Sequence, residues 1–123
     1  MILVDTSIWV DHLRSGEEGL VRLLDQGLVL IHPFVIGEIA LGSLRQRALI
    51  LDLLQSLPRA GVASDDEVLG FIERNALWGF GIGYIDAHLL AAVRLTPGSN
   101  LWTRDKRLAS AATRLSLAAD IAG

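Results

Sequence analysis

Short, uninterrupted apolar runs alternate with longer amphipathic segments along this chain, and that pattern restricts its fold more than any other feature. The runs MILV at residues 1–4 and LVLI at residues 28–31 lack the polar–apolar alternation of a half-exposed strand. Such runs are typical of strands that are buried on both faces, as in a parallel sheet covered by helices. The pattern therefore predicts an α/β protein with three layers, α/β/α, around a central parallel sheet of four or five strands.

Glycine, proline and capping residues set the boundaries of the predicted elements. Strands are predicted at residues 1–4, 28–31, 61–63 and 100–103, and the tail adds a last short strand. Helices are predicted at residues 8–13, 17–26, 33–41, 46–57, 65–77, 84–95 and 105–115. No linker or repeat separates these elements, so we expect a single domain over residues 1–123. Ligands of such a sheet bind beside the carboxyl ends of its strands.

Composition excludes several classes of protein. The chain has no cysteine, which excludes a disulfide scaffold, a cysteine-ligated zinc site and a cysteine nucleophile. Charged residues interrupt every apolar stretch before it reaches the ~20 residues that a membrane helix needs. The opening apolar run ends at Asp5 and has no basic segment before it, unlike a signal peptide. We therefore expect a cytoplasmic protein that does not associate with membranes.

Two acidic residues follow predicted strands. Asp5 comes directly after residues 1–4, and Asp105 comes two residues after the strand at 100–103. If these strands are neighbours, both carboxylates project from the same edge of the sheet. Aspartate is also a common N-cap, so capping of the following helix is an equal alternative for each residue.

Two further acids lie on apolar faces of predicted helices. Asp86 shares a face with Leu89, Leu90 and Val93, and Glu38 is the only charged residue of its helix. Burial of an unpaired carboxylate costs several kcal/mol, so these positions indicate a function. The structural alternatives are that Asp86 binds free N–H groups of the first helical turn and that Glu38 reaches solvent.

Four converging carboxylates repel one another and raise one another's pKa unless a cation lies between them. Mg²⁺ or Mn²⁺ fits such a site, because these ions prefer oxygen ligands and bind through few protein carboxylates. A bound ion of this kind polarises a phosphodiester and lowers the pKa of water. The four acids therefore predict an enzyme of phosphoryl chemistry that depends on Mg²⁺ or Mn²⁺.

The ordered set of motifs resembles the PIN-domain nucleases, and among them the stand-alone VapC toxins of bacterial and archaeal toxin–antitoxin pairs. The resemblance covers essentially all 123 residues. Its motifs are Asp5-Thr6-Ser7 after a strand, the lone Glu38, Gly83-Tyr84-Ile85-Asp86-Ala87 at a helix start, and Trp102-Thr103-Arg104-Asp105 after a strand. Gly83 departs from the family pattern, in which serine or threonine is commoner, and this puts the local geometry of that helix start in question.

The resemblance implies a metal-dependent endoribonuclease that cleaves single-stranded or loop RNA and is the toxin of a toxin–antitoxin pair. It implies that Asp5 and Asp86 are the main metal ligands and that Glu38 and Asp105 complete the catalytic acidic pocket. The hydroxyls of Thr6 and Thr103 correspond to those that orient these carboxylates. The family is usually dimeric and is held inactive by a cognate antitoxin protein.

Charge and hydropathy refine the expected partners. The net charge is −3, and without the four site acids it becomes +1, so an RNA substrate is compatible with the composition. Arg104, Lys106 and Arg107 flank Asp105 and are candidates for binding backbone phosphates, with solvated helix faces as an equal alternative. A mean hydropathy of +0.44 with 20% charged residues predicts a homodimer through the leucine-rich helices at 46–57 and 65–77.

The acidic pocket also predicts how an antitoxin inhibits. A basic group of the antitoxin, such as an arginine, is expected at the carboxylates. The antitoxin is expected to cover apolar surface near Trp9 and Phe34.

Two further expectations concern the aromatic residues and the glycine-rich turn. The tryptophans, including Trp78, are expected in the core. The turn at 79–83 is a candidate for a mobile segment that admits RNA.

Three other classes of protein are alternatives for a chain of this pattern. A phospho-receiver domain needs adjacent acids after the first strand, but Asp5 is followed by Thr6 and Ser7. A haloacid-dehalogenase-type phosphatase needs the pattern Asp-x-Asp, and position 7 is serine. A non-catalytic binding module accounts for the fold but not for acids on two apolar helix faces.

Overall fold

A parallel sheet forms the centre of the molecule. In the computed structural model, which describes residues 1–121, the strands are β1 (Ile2–Val4), β2 (Val29–Leu30) and β3 (Asn100–Trp102). Their order is β2-β1-β3, and β1 pairs in parallel with both neighbours, so Leu3 lies opposite Leu30 on one side and Leu101 on the other. The predicted α/β class and parallel sheet are confirmed. Residues 122 and 123 of the predicted domain lie outside the described residues.

One further segment pairs with each edge of the sheet through a single parallel bridge. Ile31 pairs with Arg59 beside β2, and Leu101 of β3 pairs with Ala118. The bridge at Ala118 lies where the sequence predicted a last short strand in the tail. With these two segments the sheet spans five extended segments, although only three are continuous strands in residues 1–121.

The strand predicted at residues 61–63 is wrong. The chain pairs with the sheet slightly earlier, where the amide of Ile31 donates to Pro58 and that of Ala60 donates to Ile31. At the next residue the amide of Gly61 donates to the hydroxyl of Thr96 at 2.9 Å instead of to a strand. This side-chain bond takes the place of a strand hydrogen bond at the first residue of the predicted strand.

The helices surround the sheet and lie close to their predicted positions. They are α1 (Thr6–Ser15), α2 (Glu18–Asp25), α3 (Pro33–Ala40), α4 (Arg47–Gln55), α5 (Asp65–Arg74), α6 (Tyr84–Leu95) and α7 (Lys106–Arg114). The largest difference at a helix end is at α5, which ends three residues before its predicted end. The largest at a helix start is at α1, which begins two residues before its predicted start because Asp5 caps it directly at the end of β1. No helix within residues 1–121 is long and apolar enough to cross a membrane.

The core joins the strands to helices on both sides of them. Leu3, Ile31 and Leu101 of the sheet region are fully or almost fully buried, as are Leu89 of α6 and Leu108 of α7. Each such side chain contributes about 1.5–3 kcal/mol through its removal from water. The expectation of core tryptophans holds for Trp9 and fails for Trp78, which is 63% exposed on the loop before α6.

Candidate metal centre

The strand order places the site between β1 and β3. The chain moves from β1 to β2 on one side and later returns to β3 on the other side of β1. Right-handed crossovers in opposite directions put helices on opposite faces and leave a crevice where the order reverses. Asp5 follows β1 and Asp105 follows β3, so both acids lie at the rim of this crevice.

Hydrogen bonds from three groups fix the carboxylate of Asp5. The amide of Thr6 donates to Oδ1 at 2.8 Å, the hydroxyl of Ser7 donates to Oδ2 at 3.0 Å and the hydroxyl of Thr103 donates to Oδ2 at 2.7 Å. Asp5 is 7% exposed, and β1 holds its backbone against the end of β3, since its amide donates to the carbonyl of Trp102. The carboxylate is therefore held in one orientation.

Glu38 joins the same network from α3. The hydroxyl of Thr6 donates to Oε1 of Glu38 at 2.8 Å, and this bond links the first residue of α1 to α3. His32 begins α3 as its N-cap, because its Nδ1 accepts the amide of Phe34 at 3.0 Å, and Pro33 follows at the first helical position. The start of α3 is thus fixed, and Glu38 lies on the side of the helix that faces Thr6.

Asp105 is held at the beginning of α7. Its Oδ1 accepts the amides of Arg107 at 2.9 Å and Leu108 at 3.0 Å, and its own amide donates to the hydroxyl of Thr103 at 3.1 Å. Thr103 therefore contacts both Asp5 and Asp105. A continuous chain of hydrogen bonds joins five residues, which are in order Glu38, Thr6, Asp5, Thr103 and Asp105.

Asp86 approaches the same site from α6. Its Oδ2 accepts the amide of Gly83 at 3.2 Å, so Gly83 starts the helix without a side-chain cap of its own. Burial raises the pKa of Asp86, the Gly83 amide opposes this, and the negative charges of Asp5, Asp105 and Glu38 raise the pKa further. The charges of the three other acids therefore all act on the carboxylate of Asp86.

Three of the four acids bind helix N-termini and also belong to this group. Asp5 and Asp105 are the N-caps of α1 and α7, and Asp86 is the third residue of α6. The capping alternative is therefore correct for Asp5 and Asp105, and it does not exclude a shared site. Because α1 and α7 follow β1 and β3 directly, capping itself fixes these two carboxylates at the carboxyl edge of the sheet.

The donor set has the chemistry that a hard divalent cation requires. Within residues 1–121, no hydrogen bond engages Oδ1 of Asp86, Oε2 of Glu38 or Oδ2 of Asp105, so each retains a free carboxylate oxygen. In the same range, no group of three or more histidine, aspartate and glutamate side chains is gathered closely enough to bind an ion alone. Mg²⁺ keeps several waters and binds through one or two carboxylates, so a site with two direct ligands fits this arrangement.

Ser7 and the ion pairs of Arg104 were not foreseen from the sequence. Ser7 donates to Asp5 and accepts the amide of Arg104 at 3.2 Å. The guanidinium of Arg104 pairs with Asp11 of α1 and with Glu17 just before α2, so Arg104 is already engaged by carboxylates. Only one sequence feature indicated the role of Ser7, namely that its hydroxyl lies two residues after a capping aspartate.

Aromatic rings connect the two helices that carry Glu38 and Asp86. The ring of Phe34 packs edge-on against His32 at 5.1 Å and against His88 of α6 at 4.7 Å. His88 in turn packs against Tyr84 at 4.7 Å. Both histidines are buried, and their ring contacts help to hold α3 and α6 in place around the site.

Residues 2–113 match the family described as PIN domain. The chain therefore belongs to the PIN-domain family, as its motifs predicted. Two relatives are Ribonuclease VapC32 from the H37Rv strain and from the CDC 1551 strain of Mycobacterium tuberculosis. Each is 50% identical to this chain over 118 residues, which cover 96% of the chain and 95% of the relative. The chain is thus a VapC-type member of the family, and the receiver, phosphatase and binding-module alternatives are not favoured.

Proposed function

We propose that this protein is a metal-dependent endoribonuclease that cleaves single-stranded or loop RNA and is the toxin of a toxin–antitoxin pair. Three acids joined by hydrogen bonds at the sheet switch point, with Asp86 coupled to them electrostatically, carry the proposal. The 50% identity to proteins named as ribonucleases supports RNA as the substrate. An RNA substrate and the absence of cysteine are both compatible with a cytoplasmic location of this protein.

Asp5 and Asp86 are the proposed direct ligands of Mg²⁺ or Mn²⁺. Glu38 and Asp105 complete the catalytic pocket with their free carboxylate oxygens, which accept protons or hydrogen bonds from water. When bound, the ion polarises the phosphodiester and lowers the pKa of water. Thr6 and Thr103 keep the acids in place, because each hydroxyl donates to one of these carboxylates.

A matched pair of variants tests this function. Asp5→Asn removes one ligand charge and is expected to lower the rate of single-stranded RNA cleavage at least about 100-fold. Asp25→Asn, at the exposed end of α2 and at the opposite edge of the sheet, is expected to cleave as the wild type does. Cleavage that persists in excess EDTA, or that survives in Asp5→Asn, would contradict the proposal.

We also propose a homodimer. Leu49 and Leu53 lie one turn apart on α4 and are 52% and 55% exposed, and Leu69 of α5 is 55% exposed. Association of such surfaces removes apolar area from water. Light scattering at tens of micromolar is expected to give twice the chain mass of 13.3 kDa. Leu53→Glu is expected to give monomers, whereas Leu95→Glu at the end of α6 leaves the dimer intact; a wild-type monomer contradicts the proposal.

A cavity of about 740 Å³ beside Glu38 supports the proposed antitoxin contact. It lies between α1, α3 and the segment that leads to α4, and its wall includes Glu38 together with apolar side chains such as Leu13, Ile39 and Ile50. An apolar antitoxin residue fills this cavity while a basic neighbour reaches the carboxylates. Near Trp9 and Phe34, the apolar surface that an antitoxin can cover includes Phe34, which is 36% exposed, and Val10, which is 40% exposed, while Trp9 itself is buried.

Co-expression tests the partner directly. The small open reading frame next to this gene is expected to restore growth of cells that express the wild-type chain. Replacement of its basic residue at the pocket by alanine is expected to abolish inhibition while the complex still forms. A complex in which the partner lies far from Asp5 and Asp86 contradicts this mode of inhibition.

A further inference from the structure

The loop at residues 75–83 presents an exposed aromatic side chain and leads directly into α6, the helix that carries Asp86. Trp78 is 63% exposed on this loop, whereas Trp9 is buried and Trp102 is half-buried. The loop is attached to α7, because the guanidinium of Arg114 lies 4.9 Å from the centre of the Phe80 ring. Trp78 is thus displayed from a segment that is packed on the helix following Asp105.

Gly81 allows Arg107 of α7 to lie across this loop. A Cβ atom at Gly81 would lie 2.9 Å from both Cδ and Nη1 of Arg107, so any larger side chain must displace the arginine. The φ angle of Gly81 is +77°, which other residues rarely adopt. Glycine is therefore required here for backbone conformation and for the position of Arg107.

Arg107 lies between two of the site acids. Its amide donates to Asp105 at 2.9 Å, and its side chain crosses Gly81, two residues before the glycine whose amide donates to Asp86. The ion pairs found in residues 1–121 do not include Arg107, in contrast to Arg104. A cation without a carboxylate partner is thus held at the border of the acidic pocket.

We propose that Trp78 and Arg107 bind the RNA strand next to the phosphodiester that is cleaved. This inference rests on the proposed ribonuclease function. Arg107 pairs with a neighbouring phosphate, for which the planar guanidinium is suited, and Trp78 stacks on an unpaired base. Single-stranded RNA is favoured over a protein partner because each of its nucleotides supplies both an anion for Arg107 and an aromatic face for Trp78. The pairing is independent of base identity, since every base has a face that stacks.

Tryptophan fluorescence and RNA affinity provide a test that does not depend on cleavage. In the Asp5→Asn background, a single-stranded oligoribonucleotide is expected to quench the emission, and Trp78→Ala is expected to remove most of that quenching. Trp78→Ala and Arg107→Ala are each expected to weaken RNA binding about tenfold. Gly81→Ala keeps the charge but displaces Arg107, and an intermediate loss is expected. Arg22→Ala, which removes an exposed arginine of α2, is the matched control and is expected to bind as Asp5→Asn alone does.

Steady-state cleavage separates this inference from the function on which it rests. Arg107→Ala and Trp78→Ala are expected to raise KM about tenfold and to change kcat less than about threefold, because neither contacts the acids through its side chain. If the wild type cleaves RNA and both variants have its KM and affinity, the inference is wrong and the ribonuclease function stands. Loss of dimerisation or antitoxin binding in Trp78→Ala, with unchanged RNA affinity, assigns the surface to a protein and also overturns it. A wild type that neither binds nor cleaves RNA overturns both proposals.

Discussion

The hydroxyl of Thr103 donates a 2.7 Å hydrogen bond to the carboxylate of Asp5, across 98 positions of sequence. This bond joins the carboxyl ends of β1 and β3, and the same hydroxyl accepts the amide of Asp105 at 3.1 Å. One side chain thereby sets the positions of two proposed site acids. Its removal is therefore expected to affect activity more than stability.

Thr103→Val keeps the shape of the side chain and removes its hydroxyl. We expect kcat to fall about tenfold, because Asp5 loses a donor and the start of α7 loses an acceptor. The free energy of unfolding is expected to fall by about 1 kcal/mol, the net value of a typical hydrogen bond. Kinetics and urea unfolding measure both, with Thr113→Val on the exposed side of α7 as the control. Equal kcat values in the two variants would contradict a positioning role for Thr103.

Arg104→Met tests whether the ion pairs of the loop after β3 support the site. Arg104 connects this loop to Asp11 and Glu17, and hydrogen bonds from the guanidinium lower the pKa of Glu17. We expect a severalfold lower kcat in Arg104→Met, because the loop also carries Thr103 and Asp105. High salt is expected to reduce wild-type activity towards that of the variant, since exposed ion pairs are screened. A salt response that is the same in both proteins counts against the role of these pairs.

The buried N-cap of α3 predicts a stability change in mild acid. Burial, together with the nearby charges of His88 and Arg59, lowers the pKa of His32 from 6.5 to about 4. The unfolded chain therefore binds a proton more readily than the folded chain between these pH values. Stability contributed by neutral His32 is complete above about pH 6.5 and is lost as the pH falls towards 4.

His32→Asn removes this titration and keeps a capping side chain, since asparagine is a good N-cap. Between pH 7 and pH 4.5, the wild type is expected to lose about 1–3 kcal/mol more unfolding free energy than the variant. Urea unfolding at the two pH values measures the difference. Parallel pH profiles for the two proteins would show that His32 does not titrate as its buried position requires.

The strands and the four acids were predictable because each depends on a local pattern. Four-residue apolar runs identify β1 and β2, and an aspartate directly after a strand is visible in the sequence alone. The pairing of β1 with β3 was assumed from the acids that follow them and from the family resemblance, and the structure confirms that these strands are neighbours. The use of Asp5 as both N-cap and site member also follows from its place between strand and helix.

The remaining features depend on contacts between distant residues. The segment beside β2 was predicted too late in sequence, because the Thr96 hydroxyl that binds Gly61 is 35 positions away. The exposure of Trp78 was missed, since the aromatic character of a residue does not reveal whether its loop covers it. The ion pairs of Arg104 were missed for a related reason, because they require α1 and the loop after β3 to lie side by side.

The decisive test of the proposed metal centre is to soak crystals of the wild type in Mn²⁺ and to record anomalous diffraction at the manganese edge. One anomalous peak is expected, coordinated by carboxylate oxygens of Asp5 and Asp86, with Glu38 and Asp105 around it. The peak is expected to disappear in crystals of Asp86→Asn. A manganese ion bound at other residues, or no anomalous peak at saturating Mn²⁺, would contradict the assignment of these four acids to one metal centre.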